Sequence, residues 1–519
     1  MRQPNSQDEA FALLSEPATH GVARVTRIDT HAASVFLAGA RAYKVKRAVR
    51  FPFLDYSTLA KRKAACEAEL AVNRAFAPEI YRGVVPITRT DGTVALGGEG
   101  EPVEWAVEMR RFDESATLDR LAEQGKIDLA LADQLARVVA AAHAKAPIVD
   151  ANPWIDALGQ FIEQNDAAFR DPLFPPNDAA TLTAASRVAL DQLKPLLSLR
   201  GSQGSVRRGH GDLHLGNIAL IDGKPVPFDA IEFDPLIATG DVFYDLAFLL
   251  MDLVDRDLKS AANAVLNRYL AETHRDSDLE VLAALPLFMS LRAAIRAKVT
   301  AARLEHVKGQ EGADVAKAAQ AYFRLARELI TPPSPTLIAI GGLSGTGKSV
   351  LARALAPDIS PLPGAVLLRS DVERKSLLGV EQIERLPPQA YGLEANAKVY
   401  ASLCAKAHRI ISAGHSAIVD AVFARENERV SIEQVAASHG FAFRGLFLDA
   451  DLATRVARVG GRTGDASDAD AAVARQQESY ELGTLTWVRV DASGTPDETL
   501  RHARAALADA IPGAFADTP

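Results

Sequence analysis

His210-Gly211-Asp212-Leu213-His214-Leu215-Gly216-Asn217 sets an acid and a carboxamide five residues apart in a glycine-punctuated loop, and a further acid, Asp229, follows the apolar pair Pro227-Phe228. Phosphoryl transfer needs a base to orient the nucleophile, metal held across the phosphates and cations on the developing charge. Asp212 suits the base, and Asn217 and Asp229 suit the metal. A second phosphate-handling stretch of different design lies downstream, Gly342-Leu343-Ser344-Gly345-Thr346-Gly347-Lys348-Ser349. One active site cannot use both in their usual roles, so the chain reads as two machines joined.

The bulk properties leave room for both. At 519 residues, and with one domain per roughly 150 residues, three or four compact units are expected. A content of 48% hydrophobic and 24% charged residues is that of a globular protein. The net charge of −8 argues against general nucleic-acid binding. Cys66 and Cys404, two cysteines far apart, suggest neither a disulfide framework nor a thiolate metal site. Met1 to Leu14 is polar and acidic without a signal pattern, and the most apolar run, Leu246 to Val254, is short and carries Asp252. A cytoplasmic location without membrane contact is the expectation.

Thr331-Pro332-Pro333-Ser334-Pro335 is the one evident seam, because proline fixes φ and removes backbone donors. It divides a first domain, 1–330, from a second, 336–519, with 331–335 as the linker. In the first, strands are expected at Val22 to Ile28, Ser34 to Leu37, Ala42 to Lys46, Gly83 to Thr88, Val94 to Gly97 and Val103 to Arg111, with a helix over Ser57 to Phe76. This makes a small lobe of about 1–111. A mainly helical large lobe, about 112–330, follows, with helices over Ile127 to Ala146, Ala180 to Leu197, Leu258 to Glu272, Ser277 to Glu305 and Ala313 to Ile330; Pro286 should break or kink the fourth. After the seam, apolar strands alternate with helices, which implies a parallel sheet covered on both faces.

The His210 to Asn217 loop, Asp229 and Tyr244-Asp245-Leu246-Ala247 together resemble the aminoglycoside phosphotransferase and choline-kinase-like branch of the protein-kinase-like fold, over about residues 20 to 330. The resemblance implies Asp212 as catalytic base, Asn217 and Asp229 as metal ligands, and Asp245 as support for the loop. It also implies a small-lobe lysine for the nucleotide phosphates and a helix glutamate to hold it. Lys44 and Glu69 are the first choices, with Lys46 and Glu67 as alternatives. Glu108 to Arg111 is the expected hinge at adenine. The small lobe departs from the protein-kinase pattern in having no Gly-x-Gly-x-x-Gly loop; the equivalent turn is Asp29 to Ser34, where backbone N–H groups and the Ser34 hydroxyl would cover phosphate.

The second stretch follows an apolar strand, Leu337 to Ile340, and opens a helix, so the N–H groups of Gly342, Ser344, Gly345, Thr346 and Gly347 and the helix terminus should converge on phosphate. Lys348 would reach the β- and γ-phosphates and Ser349 would bind magnesium. Asp371 and Arg374, after the second strand, suit an acceptor base and an acceptor cation. Asp420 ends the third strand as a metal-side carboxylate. Arg455, Arg458 and Arg462, followed by Gly460-Gly461 and the polar Thr463 to Asp470, resemble the arginine-bearing lid of gluconokinase, polynucleotide-kinase and zeta-toxin-like P-loop kinases.

The combination is similar to a bacterial family of bifunctional aminoglycoside phosphotransferase and ATP-binding proteins. It implies a two-domain chain of α/β and α+β class: a bilobal protein-kinase-like domain, then a P-loop NTPase parallel-sheet kinase domain. The expected cofactors are ATP or GTP with Mg2+, and the partners are small-molecule hydroxyl acceptors. A nucleotide-dependent switch in one domain, or aminoglycoside inactivation by the first, are the alternatives.

Overall fold

Short turns rich in glycine and aspartate separate the first strands, and the sequence between them alternates in a period of two, so a meander forms. In this computed structural model, which describes residues 6–51, 54–461 and 466–508, six strands build one antiparallel sheet. Their spatial order is Val25–Asp29, Ala33–Ala38, Arg41–Lys46, Glu101–Arg110, Tyr81–Thr90 and Thr93–Leu96. The Leu59–Asn73 helix packs on it. One element was not foreseen. The Ser6–Ser15 helix carries Ala10, Phe11 and Leu14 into a core with Phe36, Tyr43, Val45 and Ile87; its five apolar residues are consecutive, Ala10 to Leu14, so no helical period shows in the sequence.

The chain divides by compactness into two units, Met1–Phe161 with Lys194–Asp252, and Ile162–Leu193 with Leu253–Pro519. The proline seam at 331–335 therefore lies inside the second unit. In the first unit the hairpin Ile218–Ile221 with Lys224–Pro227 and the two-stranded pair Val206–Arg208 with Thr239–Asp241 flank the 210–217 loop. The apolar run starting at Leu246 belongs to the Val242–Asp255 helix, whose Phe243, Leu246, Leu249 and Leu250 are fully buried. Among the described residues no helix is long and apolar enough to cross a membrane.

In the second unit the long helix expected over Ser277 to Glu305 is split. Ser277–Glu280, a 3-10 turn Val281–Ala283 and the Leu285–Ala302 helix replace it. Pro286 sits in the first turn of the last of these, where its missing N–H costs nothing. The parallel sheet then runs in the order Val366–Arg369, Ala417–Asp420, Thr336–Gly342, Ala442–Asp449, Val488–Asp491. Ile338, Ile340, Ile418, Leu446 and Leu448 from its strands meet Leu351 and Leu355 of the Lys348–Leu355 helix. Burying each such side chain contributes about 1.5–3 kcal/mol. The Val366–Arg369 strand is an edge, and it is capped by amide side chains of the Lys259–Thr273 helix. Asn263 Nδ2 donates to Ala365 O at 3.0 Å, and Asn267 Oδ1 accepts from the Leu367 N–H at 2.7 Å. At the other side, Trp487 lies flat against Gly445, where a Cβ would approach its ring to 2.3 Å.

Candidate active sites

The first site is built where the strand Arg41–Lys46 turns two lysines to one face. Lys44 Nζ lies 2.8 Å from Glu69 Oε1 and 2.6 Å from Asp229 Oδ1, while Lys46 Nζ lies 2.6 Å from Glu69 Oε2 and also bonds Glu232. The choice between the lysines thus resolves into a shared glutamate. Glu67 instead faces Lys63 at 3.6 Å on the exposed side of the helix. Burial pushes the Glu69 carboxyl up, but Lys44 and Lys46 outweigh it and hold it at about 2. Lys44 is depressed by burial and raised more strongly by Asp229 and Glu69, so it stays charged.

The His210 to Asn217 loop is pinned from below. Asp245, nearly fully buried, accepts from the His210 N–H at 2.8 Å and the Gly211 N–H at 3.0 Å, and His143 Nε2 reaches it at 3.2 Å. Gly211 needs its φ of +82°, and a Cβ there would sit 2.8 Å from the Ala238 backbone. Asp252 accepts from the Leu215 N–H at 2.9 Å. Above these supports Asn217 Nδ2 donates to Asp212 Oδ2 at 2.9 Å, and His214 Nε2 lies 3.4 Å from the same oxygen. Asn217 has its carboxamide nitrogen turned to Asp212, so its oxygen points elsewhere.

Two expectations for this site change. Ser34 is fully buried and its hydroxyl donates to Asp29 Oδ1 at 2.6 Å, so it braces the hairpin and is not presented to a phosphate. That hairpin satisfies itself, with the Thr30 N–H donating to Ala33 O at 2.8 Å. Glu108 lies in mid-strand with its carboxylate between Arg41, at 3.2 Å, and Arg82, at 3.8 Å. The N–H groups of Arg110 and Arg111 are taken by Ile80 O and Ala40 O. Strand pairing on both sides consumes this segment's donors.

In the second site Gly342, Gly345 and Gly347 take φ of +138°, +89° and +92°, and Lys348 and Ser349 open the helix. A Cβ on Gly345 would lie 2.6 Å from Arg455 O. Ser349 Oγ donates to Asp420 Oδ2 at 2.5 Å, and Arg369 Nη2 donates to Ser349 Oγ at 3.1 Å. Lys348 Nζ donates to Leu343 O at 3.2 Å. Asp371 lies in the first turn of the Ser370–Leu378 helix. Burial pushes its carboxyl above the ordinary value; the Ser467 hydroxyl pulls it down, Asp420 pushes it up again, and Lys348 and Arg369 offset part of this.

The arginines separate. Arg374 is buried, with Nη1 donating to Ala390 O at 2.8 Å, Nη2 to Asn396 Oδ1 at 2.7 Å, and its guanidinium 4.8 Å over the Tyr391 ring. These contacts tie it to the 390–396 segment, about one helical turn along from Asp371, so it is not held free as a cation. Arg458 donates to Ala492 O at 2.7 Å and Gly494 O at 2.6 Å, away from the glycine loop. A step of three residues rotates it about 60° from Arg455. Arg455 alone of the two packs on the glycine loop; it pairs with Glu478, and its Nε and Nη1 are buried without a partner among the described residues. Arg462 and Thr463 to Asp465 lie outside the described residues. Residues not singled out from sequence complete the site: Arg369, Glu232 in the first site, and Gln477, whose Oε1 accepts from the Ser344 N–H at 2.6 Å. Arg369 stood beside Asp371 at a strand end, and that adjacency was its signal.

The donor sets fit nucleotide with a hard cation. Among the described residues no group of three or more His, Cys, Asp or Glu side chains is placed to hold a metal ion; Mg2+ bound with nucleotide takes waters and phosphate oxygens among its ligands. Asp229 with Asn217, and Ser349 with Asp420, are the groups that would hold it.

Known proteins match two stretches of the chain. Residues 33–285 match the phosphotransferase enzyme family, and residues 337–482 match an AAA domain. Uncharacterized proteins of Mycobacterium tuberculosis and Mycobacterium bovis are 28% identical over 485 residues, covering 92% of this chain and 94% of theirs. A gluconokinase from Sinorhizobium meliloti 1021 is 21% identical, with 34% of this chain and 93% of that one covered and a TM-score of 0.25. A choline/ethanolamine kinase family protein from Mesorhizobium loti is 13% identical, with 63% and 99% covered and a TM-score of 0.38.

Proposed function

We propose that this chain, a phosphotransferase-family part joined to a P-loop kinase part, is a tandem phosphotransferase in which each part moves the γ-phosphoryl of ATP or GTP to a small-molecule hydroxyl. The observation that carries the proposal is that each site gathers two separate carboxylates around its lysine and loop. Lys44 pairs with Asp229, and Asp229 and Asp212 both lie close enough to act on buried His210; Asp371 feels both Lys348 and Asp420. One carboxylate of each pair suits the metal side and the other an acceptor.

In this reading Asp212 takes the proton of the first acceptor, oriented by the Asn217 amide and the loop that Asp245 braces. Asp371 takes that of the second. Burial raises its proton affinity, which favours taking up the acceptor's proton. Lys44 and Lys348 bind phosphate oxygens, and Arg455 adds a cation beside the glycine loop. Mg2+ with the nucleotide would neutralise phosphate charge. Residues 331–335 divide the two catalytic parts, and a cytoplasmic location suits this chemistry.

A switch role for the second part has one observation in its favour: Gln477 already occupies the Ser344 N–H. Labelled ATP incubated with a metabolite extract distinguishes the readings. Two product sets are expected, one lost in Asp212→Asn and the other in Lys348→Ala. Loss of every product in either single variant would rule out independent sites.

A further inference from the structure

The first site contains a charge chain longer than the lysine–glutamate pair it was expected to hold. Asp229, Lys44, Glu69, Lys46 and Glu232 alternate in sign, each ammonium bridging two carboxylates. Lys46, Glu69 and Glu232 have side chains only 3%, 0% and 6% exposed, whereas Asp229 is 46% exposed. Three carboxylates face two ammoniums, so one negative charge is in excess. The partly open end of the chain is Asp229, the carboxylate suited to a cation.

Asp229 and Glu232 stand three residues apart on one loop, so the two lysines grip that loop at both ends. The grips are not equivalent. Lys44 is the lysine expected to bind phosphate, and doing so means giving up Asp229, its present partner. Lys46 is sealed in and has no such alternative duty. Tyr56 donates to Glu232 Oε1 at 3.1 Å, reinforcing the inner grip. Between the two ends Asn73 holds Ala230 by both backbone groups, Nδ2 to Ala230 O at 3.2 Å and the Ala230 N–H to Oδ1 at 2.7 Å. Asp229 itself has a φ of +62°, the left-handed conformation that aspartate tolerates better than most residues.

We propose that Lys46 and Glu232 form a second, positioning ion pair that keeps Asp229 aimed at its cation after Lys44 has left it for the nucleotide. This rests on the first site's reading as a Mg-nucleotide site. Lys46 and Glu232 act through Glu69 and Asp229, and touch neither nucleotide nor acceptor.

The test uses the full chain with Lys348→Ala, so that nucleotide binding reports the first site, and ADP as the probe in a calorimetric titration against Mg2+. Lys46→Met and Glu232→Gln are expected to raise the Mg2+ concentration for half-maximal ADP binding by about tenfold. ADP binding without metal should stay unchanged, and Lys46→Arg should recover most of the loss. If denaturation midpoints fall while the Mg2+ requirement stays put, the pair is merely structural and the proposal is wrong. Should Lys46→Met not fold, Glu232→Gln, which keeps its shape and the Tyr56 hydrogen bond, decides alone. A Lys348→Ala parent that binds no Mg-ADP removes the site reading and the inference together; a parent that binds while the variants match it removes only the inference.

Discussion

Asp245 holds the loop of Asp212 by two consecutive backbone N–H groups, those of His210 and Gly211, at 2.8 and 3.0 Å. An ionised acceptor bonding two donors suits a loop with little other regular structure. Asp245→Asn weakens one of these bonds and can turn an amide N–H against a donor. A loss of about 1–3 kcal/mol is expected. Chemical denaturation measures it, and first-site turnover should fall while Lys348-dependent nucleotide binding persists in the same sample.

Glu69→Gln should be more damaging. It leaves two buried ammoniums around a neutral partner, and removing one member of a buried ion network costs about 3–5 kcal/mol. The wild-type carboxyl sits at about 2, below its ordinary 4.5. Its contribution is therefore complete above 4.5 and disappears as the pH falls through about 2. Denaturation curves of both proteins at descending pH should converge at the acid end; a constant gap would contradict the assignment.

Asp371 has the opposite sign. Its carboxyl is raised above 3.8 by burial, so stability falls as the pH climbs from 3.8 to the raised value and stays lower above it. Asp371→Asn is expected to be at least as stable as wild type near neutral pH, with the advantage fading in acid. Second-site phosphorylation should be abolished by the same change. In the wild type the acid limb of the second-site rate profile should lie above 3.8.

Gly445→Ala tests the sheet on which the second site stands. The added Cβ would meet Trp487 at 2.3 Å, and overpacking of this kind costs about 1–3 kcal/mol. Trp487 Nε1 donates to Glu433 at 2.6 Å, so displacing the ring also strains that bond. Tryptophan emission and the denaturation midpoint should change together.

Spacing made the backbone-borne chemistry readable. The His210 to Asn217 loop and the Gly342 to Ser349 loop each place their ligands within one local turn, so order in sequence nearly equals order in space. Long side chains obeyed no such rule. Arg455 and Arg458 look alike in sequence, yet one faces the glycine loop and the other the 492–494 segment. Arg374 went to Ala390 and Asn396, partners whose proximity depends on how two helices pack. Glu232 and Lys46 lie 186 residues apart, and no local pattern joins them. The Ser6–Ser15 helix was hidden because its apolar residues, Ala10 to Leu14, form one unbroken run without a period.

The amides of Asn263 and Asn267 occupy the hydrogen-bonding rim of Val366–Arg369, the strand that leads into Asp371. A gene fragment begun at the proline seam would strip that rim bare and offer its orphaned carbonyl and amide to any passing chain. Cutting where the sequence looks weakest would thus yield a sticky, self-associating product, and an excision that keeps Lys259–Thr273 is the one suited to obtaining the P-loop half in solution.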